Sequence, residues 1–120
     1  MPKKKSKCPL TPFCTTDPLG RCIFCDQDVI THLLIGHGEL ADEGDLVKSG
    51  IEDPDQINCD KTYLDTEVYY KKFDDTTLEK FGGKYIKIPV AISVTKIEGH
   101  VKSAFLSDKF HKDESVKWKK

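Results

Sequence analysis

Apolar and polar residues alternate along KYIKIPVAISVTKI, residues 84–97. Ile86, Ile88, Val90, Ile92 and Val94 fall on one side; Lys87, Pro89, Ala91, Ser93 and Thr95 fall on the other. A period of two predicts a half-buried β-strand. Pro89 has no N–H, so the strand is expected at a sheet edge, bulged there, or split in two. TYLDTEVYY at 62–70 is rich in the β-branched and aromatic residues that suit a pleated surface. Gly82-Gly83 reads as a turn before the alternating strand. Glu98-Gly99-His100 reads as a turn after it, leading to a third strand in VKSAFL at 101–106. DDTTLEKF at 74–81 has room for one helical turn.

Nearer the start the period lengthens. Val29 and Leu33, and Ile30 and Leu34, are spaced by four, which predicts a short helix over 28–36. Asp26 or Asp28 can cap it, and Gly36 and Gly38 lie where it would end. Residues 8–25 hold Pro9, Pro12, Pro18 and Gly20, which predict knuckles and turns. Gly38, Gly44, Gly50 and Pro54 break residues 38–61 into a loop, long for a compact domain. Either a short element sits near Gly44–Ile51 or the stretch links two modules, and the linker is the reading adopted. The expected division is a disordered basic arm at 1–7, a finger at 8–38, an acidic linker at 39–60, an antiparallel β unit at 61–108 and a basic tail at 109–120. The fold class is α+β: a small N-terminal zinc finger, knuckle plus short helix, followed by a small antiparallel sheet.

Composition narrows the class. The chain has 120 residues, 38% hydrophobic and 32% charged, with a formal net charge of −1. That balance is not the low-hydrophobicity, high-net-charge signature of a disordered chain. It does imply a small core, and small cores often rely on metal or disulfides. No apolar run is long enough for a membrane helix, and no apolar h-region follows MPKKKSK. The expected location is therefore intracellular, nuclear or cytoplasmic, where thiols stay reduced. The five cysteines are an odd number, which also argues against a closed disulfide set.

Six candidate metal ligands crowd the first forty residues: Cys8, Cys14, Cys22, Cys25, His32 and His37. Zinc is held tetrahedrally by such thiolates and imidazoles, and a Cys-x2-Cys followed by His-x4-His falls within its usual ligand spacing. Six residues between Cys25 and His32 are too few for a DNA-reading ββα finger. Two ligand sets remain open. One is Cys22, Cys25, His32 and His37; the other pairs Cys8 and Cys14 with the same two histidines. The mixed sulfur and nitrogen donors point to Zn2+. A ligand surplus favours a closed, structural site over a catalytic one. No catalytic constellation stands out in the sequence, so no enzymatic activity and no small-molecule substrate are expected. Cys59, His100 and His111 are given no role.

CPLTPFC followed by DVITHLLIGHG resembles the fingers of seven-in-absentia-type proteins, in which a Cys-Pro knuckle and a helix carrying two histidines precede a TRAF-like β domain. The resemblance covers residues 8–38. It implies protein binding by the finger and the sheet, with the knuckle at Cys8 and Cys14 and the helix ligands at His32 and His37. No RING precedes the finger, so ligase activity is not implied. The function expected is a zinc-stabilised protein-interaction module, an adaptor for a protein partner. The alternative is a nuclear or viral nucleic-acid-binding protein that uses PKKKSK as an arm and Trp118 of KWKK to stack on a base.

Overall fold

The structure, a computed structural model, describes residues 9–73, 84–110 and 113–120. Five sequence expectations lie outside them: the basic arm at 1–7, Cys8, the helical turn in DDTTLEKF, the Gly82-Gly83 turn and His111. The fold is α+β; the described residues form two α-helices and one mostly antiparallel sheet.

The alternating stretch forms β5, Tyr85–Ile92, with Ile86, Ile88 and Val90 fully buried and Ile92 nearly so. Val94 is not part of this face; it stands in the turn that follows, 99% exposed. β4, Thr66–Lys72, pairs with β5 along its length, placing Tyr69 against Ile88 and Glu67 against Val90. On the other side of β5 lie two short strands, β6 at Glu98–Val101 and β7 at Phe105–Ser107. Glu98-Gly99-His100 is thus strand, and the turn falls at 93–97.

Pro89 occupies an interior strand that is neither bulged against β4 nor split, contrary to all three expectations, and the topology shows how. The carbonyl of Pro89 accepts a hydrogen bond from the Lys102 N–H at 2.8 Å. In an antiparallel ladder a residue's N–H and C=O point the same way. The missing N–H therefore faces the break between β6 and β7, where no ladder bond is needed. The neighbouring strand is the one that splits.

Residues 39–60 are not a linker. After a short 3-10 turn at Gly38–Leu40 they form α2, Gly44–Glu52, and β3, Gln56–Cys59. Val47 and Ile51 recur at helical spacing and are fully buried. Gly50, read from sequence as a breaker, lies inside the helix because the sheet comes too close for a side chain. A Cβ there would meet Ile88 Cδ1 at 2.7 Å and Ile86 Cγ2 at 3.3 Å. β3 pairs with β4 and with β8, Ser115–Lys119, the segment expected as a basic tail.

Residues 9–40 also depart from a knuckle. Phe13–Thr16 and Cys22–Cys25 form the antiparallel hairpin β1–β2, followed by helix α1 at Gln27–Gly36, close to the helix the spacing predicts. β2 runs parallel to β6, so the sheet order is β1-β2-β6-β5-β4-β3-β8, with β7 also on β5. Strands from both expected units share this one sheet. α1 contributes Ile30 and Leu33, and α2 contributes Val47 and Ile51, to one core with Ile57, Tyr69, Ile86, Ile88 and Val90.

Candidate functional site

The hairpin decides the fate of the proposed ligands. Successive side chains on a strand point to opposite faces, so residues three apart cannot converge on one ion. Cys22 and Cys25 are the two ends of β2: Cys22 is exposed, and Cys25 is 1% exposed within the core. Burial pushes the Cys25 thiol up to about 12, with the nearby Asp26 charge adding to the rise. Cys14 lies exposed on β1, opposite Phe24. His32 is exposed on α1. His37 ends that helix, its ring stacked on Phe105 at 5.9 Å and its Nδ1 3.6 Å from Glu39 Oε1. Among the described residues, no three His, Cys, Asp or Glu side chains come together to hold an ion. Among the described residues, the candidates of neither ligand set come together as a zinc site requires. Excess EDTA is accordingly expected to leave the urea midpoint and far-ultraviolet dichroism of the reduced protein unchanged. A cooperative loss of structure on chelation would show instead that an ion holds the first forty residues.

The basic tail is likewise tied into the sheet. Trp118 is opposite Ile57 and packs against the core, so it is not free to stack on a base. Lys117 Nζ lies 3.5 Å from Glu67 Oε2, and Lys120 Nζ lies 3.0 Å from Asp53 Oδ1. His100, given no role from sequence, stacks on Phe24 at 5.1 Å, with Asp26 and Glu98 at 3.2 Å and 3.4 Å from its two ring nitrogens.

A different feature stands out at one end of the sheet. The turns 17–21, 60–65 and 93–97 join β1–β2, β3–β4 and β5–β6. The parallel register of β2 with β6, and the pairing of Thr66 with Ala91, bring all three turns to the same end. They carry Leu19, Tyr63, Leu64, Val94 and Ile97, five of the eight large apolar side chains that stand exposed among the described residues. Leu64 is 94% exposed and Val94 is 99% exposed.

Each turn is held by its own hydrogen bonds. Asp17 Oδ1 accepts the N–H groups of Leu19 and Arg21 at 3.0 Å and 2.8 Å, and Gly20 supplies the positive φ of 81° that closes the turn. Asp60 Oδ2 accepts from the N–H groups of Thr62 and Tyr63 at 2.9 Å and 2.8 Å. Ser93 O accepts from the Lys96 N–H at 3.0 Å. Neighbouring turns are also joined: the Ile92 N–H donates to Asp65 O at 2.7 Å, and the Cys22 N–H donates to Ile97 O at 3.0 Å. Lys102 Nζ sits 4.4 Å from the Tyr63 ring centre. The apolar tips are thus carried on stiff, linked supports.

Below this end lies a buried ionic network. Arg21 Nε is 2.8 Å from Asp17 Oδ2, and Arg21 Nη2 is 2.8 Å from Glu67 Oε1. Arg21 Nη2 also donates to the Tyr69 hydroxyl at 3.0 Å, and that hydroxyl donates to Asp17 Oδ2. β6 and β5 separate β2 from β4 in the sheet order, so these contacts require the sheet to curl over its core face. Burial raises the Tyr69 hydroxyl, reinforced by its bond to Asp17. Burial also pulls the Arg21 guanidinium down, but its bonds to Glu67 and Asp17 more than offset this and leave it raised.

Sequence reasoning missed both the apolar end and the network. DPLG at 17–20 was a legible turn signal, with proline second and glycine fourth. Nothing local told that three turns would meet or that Arg21 would reach Glu67. In comparisons with known proteins, no family model, curated protein or solved structure matches this chain.

Proposed function

We propose that this chain is a protein-interaction module whose docking surface is the three-turn end of the sheet. One observation carries the reading: five exposed apolar side chains gathered on three hydrogen-bonded, mutually linked turns. Contiguous exposed apolar surface rimmed by polar groups is typical of interaction sites. Stiff supports matter too, because a surface already ordered loses little entropy on binding. The partner is a protein offering an apolar concavity to Leu64 and Val94. Binding, not catalysis, is the activity. Cys14, Cys22, Cys25 and Cys59 are free thiols, which supports an intracellular, reducing compartment. Among the described residues no helix is long and apolar enough to cross a membrane.

The test is photo-crosslinking from positions 64 and 94, with position 48 on α2 as control. The partner captured is then purified and titrated. Leu64→Asp with Val94→Asp is expected to weaken its affinity by roughly two orders of magnitude, as for loss of central anchors. The urea midpoint should not move, because both side chains are exposed. Undiminished affinity of the double variant would refute the reading.

A further inference from the structure

Of the thiols in the described residues, two stand on the outer face of one hairpin. Cys14 is opposite Phe24, and Thr16 is opposite Cys22. Directly paired residues lie on one face of a sheet, as do residues two apart on one strand. Cys14, Phe24 and Cys22 therefore share the outer face of the β1–β2 hairpin, while Ile23 and Cys25 face the core. Both outer thiols are exposed.

Their spacing has a chemical consequence. Cys14 and Cys22 are diagonal neighbours, one rung out of register, and such pairs lie about 7–8 Å apart, with Cβ atoms somewhat closer. An unstrained disulfide needs Cβ atoms about 3.5–4.5 Å apart. A direct S–S bond is therefore too short. An intervening atom bonded to both sulfurs adds two bonds of about 2.3 Å each, taking the zinc–thiolate length as the scale, and closes the gap. No third ligand converges among the described residues. A two-thiolate set does not meet the four-ligand demand of zinc, but it suits soft centres that thiolates select.

We propose that Cys14 and Cys22 form a two-thiolate clamp for a soft, thiophilic centre of the class of monovalent copper or trivalent arsenic. The probe is phenylarsine oxide. Each thiol gives up its proton and two As–S bonds form. The As–O bond breaks, and the oxygen leaves as water with both protons. Arsenic stays trivalent, so no oxidant or reductant takes part.

The full-length reduced chain is titrated with the probe under excess glutathione, which competes off singly bonded arsenic, and read by intact mass. One equivalent is expected to persist. Cys14→Ser and Cys22→Ser should each weaken retention at least tenfold with an unchanged urea midpoint. Cys8→Ser, Cys59→Ser and Cys25→Ala should keep it. No persistent adduct on the unsubstituted chain, full retention by Cys14→Ser or Cys22→Ser, or its loss in Cys8→Ser would overturn the proposal. A parallel titration with Cu(I) against bicinchoninate separates the two sources. One retained copper, lost in Cys14→Ser, assigns the clamp to the metal. Arsenical retention without copper assigns it to dithiol-reactive electrophiles.

Discussion

Arg21→Ala is expected to lower the stability of the fold by about 3–5 kcal/mol, the usual cost of removing one partner from a buried ion pair. The Asp17 and Glu67 side chains are 0% and 7% exposed, so neither carboxylate can turn to water when the guanidinium is lost. Tyr69 would keep its bond to Asp17 but lose the one from Arg21. Lys117, 3.5 Å from Glu67, relieves only that end of the network. Such a loss is a large share of the roughly 5–15 kcal/mol that holds a domain of this size. Urea unfolding at neutral pH measures it. In a Glu67→Gln background the same substitution should cost less, because one of the two stranded charges is already gone. A loss below about 1 kcal/mol would mean that water reaches the carboxylates, as at a surface pair.

Ile88→Ala is expected to cost about 2–5 kcal/mol, from lost transfer energy and the cavity left behind. Ile88 is fully buried at the centre of β5, opposite Tyr69 and beneath Gly50 of α2. The cavity would open directly under the helix, where a Cβ added at position 50 would meet Ile88 Cδ1 at 2.7 Å. Gly50→Ala alone should therefore destabilise by crowding, whereas in the Ile88→Ala background its methyl has space to occupy. The two substitutions together are expected to cost less than their sum, a coupling that a double-mutant cycle reads. Strict additivity would mean that α2 does not rest on this part of the sheet.

The contrast between these residues shows where the sequence is informative. Ile86, Ile88 and Val90 could be assigned to a buried face because a period of two is a property of the strand itself. The spacing of Val29, Ile30, Leu33 and Leu34 likewise marked α1, although only Ile30 and Leu33 of these are buried. Glycine misled at position 50, because a breaker and a close-packing site look identical until the opposing surface is known. Arg21 gave no signal of its reach to Glu67 and Tyr69, since these two partners are 46 and 48 residues away in the chain.

The sequence by itself determined the period of β5, the place of α1 and the α+β class, because each follows from local alternation and backbone preference. Only the tertiary structure decided which faces and neighbours those elements have. It put Pro89 in an interior strand by splitting its neighbour, and it turned residues 44–59 from linker into helix and strand. It drew Cys22 and Cys25 to opposite sides by extending them into a strand beside β6. A Cys-x2-Cys spacing chelates on a turn and diverges on a strand. Which conformation it takes is set by hydrogen-bonding partners some seventy residues further along the chain.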